Sequence, residues 1–273
     1  MNNILVIILD SCRYDSYAKA NTTFLDQFGL AEKRYSYASW TGPSHFCMFS
    51  GLFPHTSPSL VYASEVYKKE YILWEERTGI QDLDFKSFVP QLWLPTLLQK
   101  YGYYTMARMS MPVLNPYTAL NKGFDDYKLM PNHNSLLDLA TNLEFHSEKP
   151  TFCFINSGET HYPYMLTDPA LPKISGIHGV LKDIDGITHD SSLSSQGFFN
   201  PEDMERLHTQ QIKCVEHCDR CIECLLTRIK AKTRVIITAD HGELFGESGY
   251  FGHGPVNHSL VHEVPYIEFT INH

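Results

Sequence analysis

Three short, mostly apolar runs, at residues 4–9, 151–156 and 234–239, stand out from the more mixed sequence around them. Runs of this length that are rich in Ile, Val or Phe are typical of buried strands in a parallel sheet, because such strands are covered on both faces. A fourth strand is predicted at 103–107, where Tyr residues precede Thr, Met and Ala.

Helical patterns lie between these runs. Helices are predicted at 43–50, 94–100, 136–146 and 202–230, and the last of these is the longest. Pro43 fits the first position of its helix, and Gly51 fits the end. Strands that alternate with helices predict an α/β fold with a mainly parallel central sheet flanked by helices.

In two long segments, the apolar residues show no sustained helical or strand periodicity. Residues 55–92 are rich in aromatic side chains and predict an irregular insertion over the surface, and residues 165–200 are rich in Pro, Gly, Ser and Asp. Long irregular segments inside a domain are usually functional or mobile, so we expect both to form the walls or lid of a substrate pocket. The whole chain, 1–273, is predicted to be one domain that carries these two insertions.

Composition narrows the class of partner. The chain has 22 Lys and Arg against 31 Asp and Glu, a net charge of −9, and it has no basic stripe. Phosphate backbones require clustered positive charge, so no nucleic-acid partner is expected. The run at 4–9 is too short to span a bilayer and has no positive flank, so neither a membrane partner nor an export signal is predicted. The sequence allows a homo-oligomer.

Four of the seven cysteines lie close together, in the pattern Cys214-x3-Cys218-x2-Cys221-x2-Cys224. This spacing resembles an iron–sulfur or zinc site. However, 211–228 has no Gly or Pro and predicts a continuous helix, on which four thiols form a stripe and cannot surround one ion. We therefore expect core packing. An odd number of cysteines without an export signal predicts reduced thiols and a cytoplasmic location.

Acidic side chains follow two of the predicted strands. Asp10 comes directly after the first run, and Asp240 and His241 come after the last one. The carboxyl ends of parallel strands meet at one edge of a sheet, so these groups can converge as metal ligands. Thr41 precedes the helix predicted at 43–50, where an anion is favoured. A bound cation would make its hydroxyl a competent nucleophile.

Eight short motifs occur in order along the chain. They are Ile8-Leu-Asp10-Ser-Cys-Arg-Tyr-Asp15, Thr41-Gly-Pro-Ser-His45, Gly51-Leu-Phe-Pro54, Gly123-Phe-Asp125, Thr160-His-Tyr-Pro-Tyr164, Thr238-Ala-Asp-His-Gly-Glu243, Gly252-His-Gly254 and Glu263-Val-Pro265. The ordered set resembles the sulfatase-like branch of the alkaline phosphatase superfamily, which includes sulfatases, phosphodiesterases and phosphoethanolamine transferases. The resemblance spans nearly the whole chain and implies an alkaline phosphatase-like three-layer sandwich.

The resemblance also implies roles for particular side chains. Thr41 would be the nucleophile, esterified in a first step and released by water or an acceptor in a second. One metal would be held by Asp10, Thr41, Asp240 and His241. The substrate's phosphoryl or sulfuryl oxygens, or a second metal, would be bound by His161, His253, His45 and Glu159. Mixed carboxylate and imidazole ligands favour Zn²⁺ or Mn²⁺, with Ca²⁺ or Mg²⁺ as alternatives.

The chain departs from formylglycine-dependent sulfatases in several places. Thr41 stands where those enzymes have the Cys that becomes formylglycine, and His45 replaces an Arg. Ser11 replaces the second of two adjacent acids, no Lys-x-His motif occurs near 105–112, and Ser157 stands where two-metal members have an Asp. Formylglycine cannot form from Thr, so the resemblance favours phosphate chemistry. Ser157 in place of the Asp implies one complete metal site, with a weaker second metal at Glu159, His161 and His253 as the alternative.

The sequence therefore predicts a metal-dependent hydrolase of small phosphate mono- or diesters, or phosphonates, that works through a covalent Thr41 intermediate. Ser44 is an alternative nucleophile, but it falls inside the predicted helix. Two other functions stay open. One is a sulfate-ester hydrolase or a phosphoryl-group transferase that uses the same site. The other is a metal-binding pseudoenzyme that recognises a phosphorylated partner.

Overall fold

Strands and helices alternate along most of the chain. The structure, a computed structural model, describes residues 1–57, 61–89, 91–164, 171–172, 181–182 and 200–272. Its strands are β1 (Asn3–Leu9), β2 (Glu32–Tyr35), β3 (Tyr104–Met109), β4 (Asp126–Leu129), β5 (Thr151–Ser157), β6 (Leu181–Lys182), β7 (Thr233–Thr238), β8 (Leu244–Phe245), β9 (Tyr250–Gly252) and β10 (Glu263–Ile271). Its helices are α1 (Tyr14–Lys19), α2 (Thr41–Phe49), α3 (Ala63–Thr78), α4 (Phe85–Phe88), α5 (Leu94–Lys100), α6 (Leu136–Asn142), α7 (Pro201–Arg228) and α8 (Ser259–His262).

The central sheet contains seven strands in the order β2-β10-β7-β1-β5-β3-β4. Strands β7, β1, β5, β3 and β4 are parallel, whereas β10 is antiparallel to both β7 and β2. Leu9 of β1 lies opposite Ser157 of β5, and Ile8 lies opposite Thr238 of β7. The carboxyl ends of three central strands therefore meet at one edge, and the predicted α/β fold is confirmed. A small second sheet joins β6, β9 and β8.

Helices cover both faces of the central sheet. Successive side chains of a strand point to opposite faces, so alternate residues of β1 enter different cores. Ile7 packs in a core that includes Ile222 of α7, whereas Ile8 packs in a core that includes Phe49 of α2 and Trp74 of α3. The sheet is thus the middle layer of three, as the sequence resemblance implies.

Most predicted elements are confirmed, with shifts at their ends. Helix α5 matches the prediction for 94–100, and α7 forms one continuous helix of 28 residues. Helix α6 ends at Asn142, four residues before the predicted end, because Leu143 adopts an extended backbone and packs against the core. None of the described helices is both long and apolar enough to cross a bilayer.

The prediction of an irregular segment over 55–92 is wrong for its central part. There, α3 forms a helix of 16 residues whose buried face includes Trp74. The same face buries Glu70 and Arg77, which form an ion pair with a 2.7 Å N–O distance. Charged residues at buried positions obscure the helical hydrophobic pattern. Most of the other predicted insertion, 165–200, lies outside the described residues.

Candidate active site

The carboxyl edge of the central sheet brings together side chains that are far apart in the sequence. Asp10 follows β1, and Asp240 and His241 follow β7. One candidate ligand atom from each residue lies within 4.8 Å of the others, and all three residues are buried. The parallel pairing of β1 with β7 creates this convergence, as the sequence predicts.

Only one oxygen of the Asp240 carboxylate accepts hydrogen bonds from the described residues. Its Oδ1 atom accepts the backbone N–H groups of Ser11 and His241, each at 3.1 Å. Its Oδ2 atom is buried and has no hydrogen-bond partner among the described residues. Burial and the neighbouring Asp10 carboxylate raise the pKa of Asp240 well above its usual value. A buried carboxylate oxygen with these neighbours suits a divalent cation, so the residues present fit a metal.

Asp10 is held by side chains from two neighbouring segments. Its Oδ2 atom accepts a hydrogen bond from the Asn156 side-chain amide at 2.7 Å, and its Oδ1 atom accepts one from the Ser11 hydroxyl at 3.1 Å. Burial opposes ionisation, but the imidazoles of His161 and His241 and the Asn156 amide together lower the pKa of Asp10. Asp10 therefore keeps its negative charge in a buried position.

His241 presents one ring nitrogen to the site. Its Nδ1 atom donates to the carbonyl of Gly242 at 2.8 Å, which leaves a lone pair on Nε2. Nε2 lies 3.4 Å from Oδ2 of Asp240 and 3.2 Å from the Thr41 hydroxyl. Burial, with a further contribution from His253, lowers the pKa of His241 well below 6.5. The imidazole is therefore neutral at neutral pH, as a metal ligand must be.

Thr41 begins α2, so its hydroxyl lies at the positive end of the helix dipole. The helix starts two residues earlier than predicted, which places Pro43 within the first turn. Thr41 is buried, with 5% of its surface exposed, and its Oγ1 atom faces Nε2 of His241. Ser44 lies inside the helix and donates to the carbonyl of Ala38 at 3.2 Å. Of the two hydroxyls, only that of Thr41 contacts His241 in the described part of the chain.

His45 lies beneath Thr41 and contacts the backbone of the same helix. Its Nδ1 atom donates to the Thr41 carbonyl at 2.8 Å, and its Nε2 atom lies 3.5 Å from the Asn156 amide nitrogen. The ring is fully buried, and burial lowers its pKa. His45 thus supports the first turn of α2 and lies beside the residue that holds Asp10.

His161 and His253 lie on the other side of His241. The ring centroids of His241 and His253 are 4.3 Å apart, and those of His253 and His161 are 5.0 Å apart. Nδ1 of His253 lies 3.2 Å from a carboxylate oxygen of Glu243, and Nδ1 of His161 faces the carbonyl of Tyr162. No hydrogen bond joins Nε2 of either ring to another described residue, so these two nitrogens could face the oxygens of a bound group.

Glu159 is not part of the group that can hold a metal among the described residues. Its carboxylate oxygens accept the backbone N–H of Leu136 at 2.7 Å, where α6 begins, and the hydroxyl of Ser157 at 2.5 Å. An acid at a helix N-terminus interacts favourably with the helix dipole. Both oxygens are thus engaged by the protein, and Glu159 supports the start of α6.

Three residues that support the site are not among those predicted from the sequence to bind a metal or substrate. Asn156, Ser11 and Glu243 support Asp10, Asp240 and His253 respectively. Asn156 lies near the carboxyl end of β5, the same edge at which the two acids were predicted, and this position is the signal that could have found it. Ser11 adopts a positive φ of 61°, which the sequence does not reveal.

The cysteine-rich segment forms the predicted continuous helix. Cys214, Cys218 and Cys221 are buried in hydrophobic clusters, and Cys224 packs against one of them. Among the described residues, the group that can hold a metal does not include any of these thiols. The helical prediction for the segment is confirmed.

The mostly parallel sheet, with a carboxylate–imidazole group at its carboxyl edge, is the arrangement implied by the sequence resemblance to the alkaline phosphatase superfamily. The family profile named Sulfatase matches residues 2–268, so this chain belongs to the sulfatase family. A comparison with curated proteins finds no match.

Several solved structures share the fold at low sequence identity. The C-terminal periplasmic domain of EcEptC from Escherichia coli, in a complex with Zn, is 12% identical, with a TM-score of 0.60 over 98% of this chain and 72% of that chain. The corresponding domain of phosphoethanolamine transferase EptC from Campylobacter jejuni is 15% identical, with a TM-score of 0.57 over 99% and 80%. A 2-O GAG sulfatase is also 15% identical, with a TM-score of 0.56 over 98% and 64%.

These neighbours contradict the cytoplasmic location predicted from the sequence. Two of them are periplasmic domains. The cysteines do not indicate the location. All seven thiols are free and five are buried, so they serve as packing groups whose presence does not report the redox state of a compartment.

Proposed function

We propose that this chain is a metal-dependent enzyme that cleaves phosphate mono- or diesters, or phosphonates, through a covalent Thr41 intermediate. The observation that carries the proposal is the position of the Thr41 hydroxyl. It lies at the start of α2, 3.2 Å from Nε2 of His241, beside the buried group formed by Asp10, Asp240 and His241. A hydroxyl that served only as a helix cap would not require such neighbours.

The same residues explain how a metal would be held and what it would contribute. Asp10, Asp240, His241 and Thr41 would hold a divalent cation, and the mixture of carboxylates with an imidazole favours Zn²⁺ or Mn²⁺. When bound, such a cation would lower the pKa of the Thr41 hydroxyl and neutralise charge on the transferred group. The Zn complex of the EcEptC domain supports this proposal.

The reaction would proceed in two balanced steps. In the first, Oγ1 of Thr41 attacks phosphorus and passes its proton to solvent, while the bond from phosphorus to the leaving-group oxygen breaks and that oxygen takes up a proton from solvent. In the second, water attacks phosphorus and the bond to Thr41 breaks, which restores the hydroxyl. The imidazoles of His161 and His253 would bind the non-bridging oxygens, and the α2 N-terminus would stabilise their negative charge.

Transfer to an acceptor is the second candidate function, because the intermediate can be released by an alcohol as well as by water. Similarity of fold to a phosphoethanolamine transferase supports this alternative. Sulfate-ester cleavage has weaker support, since Thr41 cannot become formylglycine. A pseudoenzyme that only binds a phosphorylated partner would not need the Thr41 hydroxyl so close to His241.

A panel of matched substrates tests the proposal. One chromogenic leaving group is supplied as phosphate monoester, phosphate diester, phosphonate and sulfate, each with Zn²⁺, Mn²⁺, Ca²⁺, Mg²⁺ or a chelator. Turnover of a phosphorus ester is expected with Zn²⁺ or Mn²⁺. Thr41→Ala should lower kcat by about 10³-fold or more, as loss of a covalent nucleophile does in other hydrolases. Thr41→Ser should retain part of the activity.

Thr227→Ala provides the matched control, because Thr227 is exposed on α7. Added alcohol that diverts product into a new phosphate ester would select transfer over hydrolysis. Sulfate turnover in preference to every phosphorus ester would refute the substrate class. Folded, zinc-loaded protein whose turnover is unchanged in Thr41→Ala would refute the covalent step.

A further inference from the structure

Helix α7 contributes none of the predicted ligands, yet one of its side chains reaches the loops that carry them. Gln211 is fully buried, and its amide uses both its donor and its acceptor sides. Nε2 donates to the carbonyls of Ser11 at 2.9 Å and Thr160 at 3.0 Å. Oε1 accepts from the Ser16 hydroxyl at 2.6 Å and the Arg13 backbone N–H at 3.4 Å.

The two carbonyls belong to two different loops of the site. Ser11 directly follows the predicted ligand Asp10, and Thr160 directly precedes His161, which is predicted to bind the transferred group. The loops also contact each other, because the Thr160 hydroxyl donates to the Asp10 carbonyl at 2.7 Å. The Gln211 amide therefore joins both loops to one rigid helix at the point where they meet.

We propose that Gln211 is a positioning residue that fixes Asp10 and His161 relative to each other. A buried amide is costly unless all its polar atoms are satisfied, and a satisfied one rigidifies its surroundings. An apolar residue could fill this space, but it could not hold two carbonyls at a set distance. The inference deepens the proposed function and rests on it, because a positioning role requires reacting groups to position.

Gln211→Glu tests the role with almost no change in size. The substitution replaces the Nε2 donor with an oxygen that faces two carbonyl oxygens, so the two loops should move apart. Displacements of about 1 Å can cost on the order of 10²-fold in rate. We therefore expect kcat/KM for the phosphorus ester to fall roughly 10- to 100-fold at saturating Zn²⁺, comparable to losses from other supporting residues.

Asp219→Asn is the matched control on the same helix. Asp219 is also buried, and its carboxylate accepts the backbone N–H groups of Phe24 and Leu25 at 3.1 and 2.9 Å. This second helix-to-loop contact involves none of the predicted site residues. The control variant should lose thermal stability while kcat/KM stays within about two-fold of the unmodified chain, since the reacting groups keep their positions.

Ser16→Ala provides a milder test should Gln211→Glu fail to fold. It removes one donor to Oε1 of Gln211 without touching a loop of the site, and a smaller loss in the same direction is expected. For each variant, kcat, KM, the Zn²⁺ dissociation constant and the dissociation constant of inorganic phosphate are measured beside the melting temperature. Weaker phosphate binding and lower kcat, beyond any loss shown by Asp219→Asn, support the positioning role.

Two outcomes overturn the inference and can be told apart. If Gln211→Glu and Ser16→Ala lose no more activity or phosphate affinity than Asp219→Asn, the side chain contributes stability alone. If the unmodified chain binds no metal and cleaves no ester, the proposed function fails, and the positioning role fails with it. The first result appears only in the variants, whereas the second appears before any substitution is made.

Discussion

Asp240→Asn is expected to change stability in opposite directions with and without a divalent cation. In the unmodified chain, Oδ2 of Asp240 is buried without a hydrogen-bond partner among the described residues, and burial beside Asp10 raises the pKa of Asp240. The substitution removes this carboxylate oxygen but keeps Oδ1, which accepts the N–H groups of Ser11 and His241. The cation-free variant should therefore be more stable than the cation-free parent.

The size of the stability change follows from the loss of the unpaired Oδ2 of Asp240. Leaving a buried polar group unsatisfied costs on the order of 1–3 kcal/mol. For a chain of this length, 1 kcal/mol shifts the melting temperature by roughly 2–4 °C, so Asp240→Asn should raise it by about 2–12 °C in a chelator. With Zn²⁺ at about 1,000 times its dissociation constant, the parent gains about 4.1 kcal/mol that the variant lacks. The order of stability should then reverse.

Calorimetry in a chelator and in excess Zn²⁺ measures both arms of this prediction. Asp219→Asn is the control, because both of its carboxylate oxygens accept backbone N–H groups far from the site. That variant should lose the same stability in either buffer. If Asp240→Asn behaves like the control, with equal losses in chelator and in zinc, Asp240 is a structural acid and the assignment of a metal site is wrong.

Three further predictions concern other parts of the molecule. Burial alone would raise the pKa of Glu268, but the Arg77 guanidinium lowers it from 4.5 to about 2. Glu268→Gln should therefore lower the free energy of unfolding by about 3 kcal/mol at pH 7. The unmodified chain should lose this stabilisation as the pH falls from 4.5 towards 2, whereas Glu268→Gln has none to lose. Identical acid denaturation curves for the two proteins would contradict this prediction. Gly242→Ala places a Cβ 2.1 Å from the Leu260 carbonyl, so urea titration should show a loss of about 3 kcal/mol or more, together with weaker Zn²⁺ binding. Cys218→Ala should leave the bound zinc, measured by elemental analysis, unchanged; loss of zinc would show that the thiol is a ligand.

The central strands and their terminal acids can be predicted from the sequence because one physical cause governs both. A strand buried on two faces must be continuously apolar, and its end is the first place where a polar group reaches the sheet edge. Asp10 and Asp240 therefore stand out at the ends of the runs at 4–9 and 234–239. Parallel pairing then brings them together without any further information.

The rest of the site depends on contacts that leave no local pattern. Glu70 and Arg77 neutralise each other on the buried face of α3, so the helix shows no clear apolar stripe. Asn156 and Gln211 are ordinary polar residues until the sheet and α7 bring them against Asp10 and Ser11. Their roles arise from tertiary structure, and a single sequence does not display them.

The order of the strands in the sheet also has a consequence for folding. About 230 residues separate Asp10 from Asp240 and His241, and the three groups meet only when β7 pairs beside β1. A partly folded chain in which β7 has not yet paired would hold Asp10 apart from the other two groups. A cation bound by all three would therefore be acquired only after the central strands have assembled.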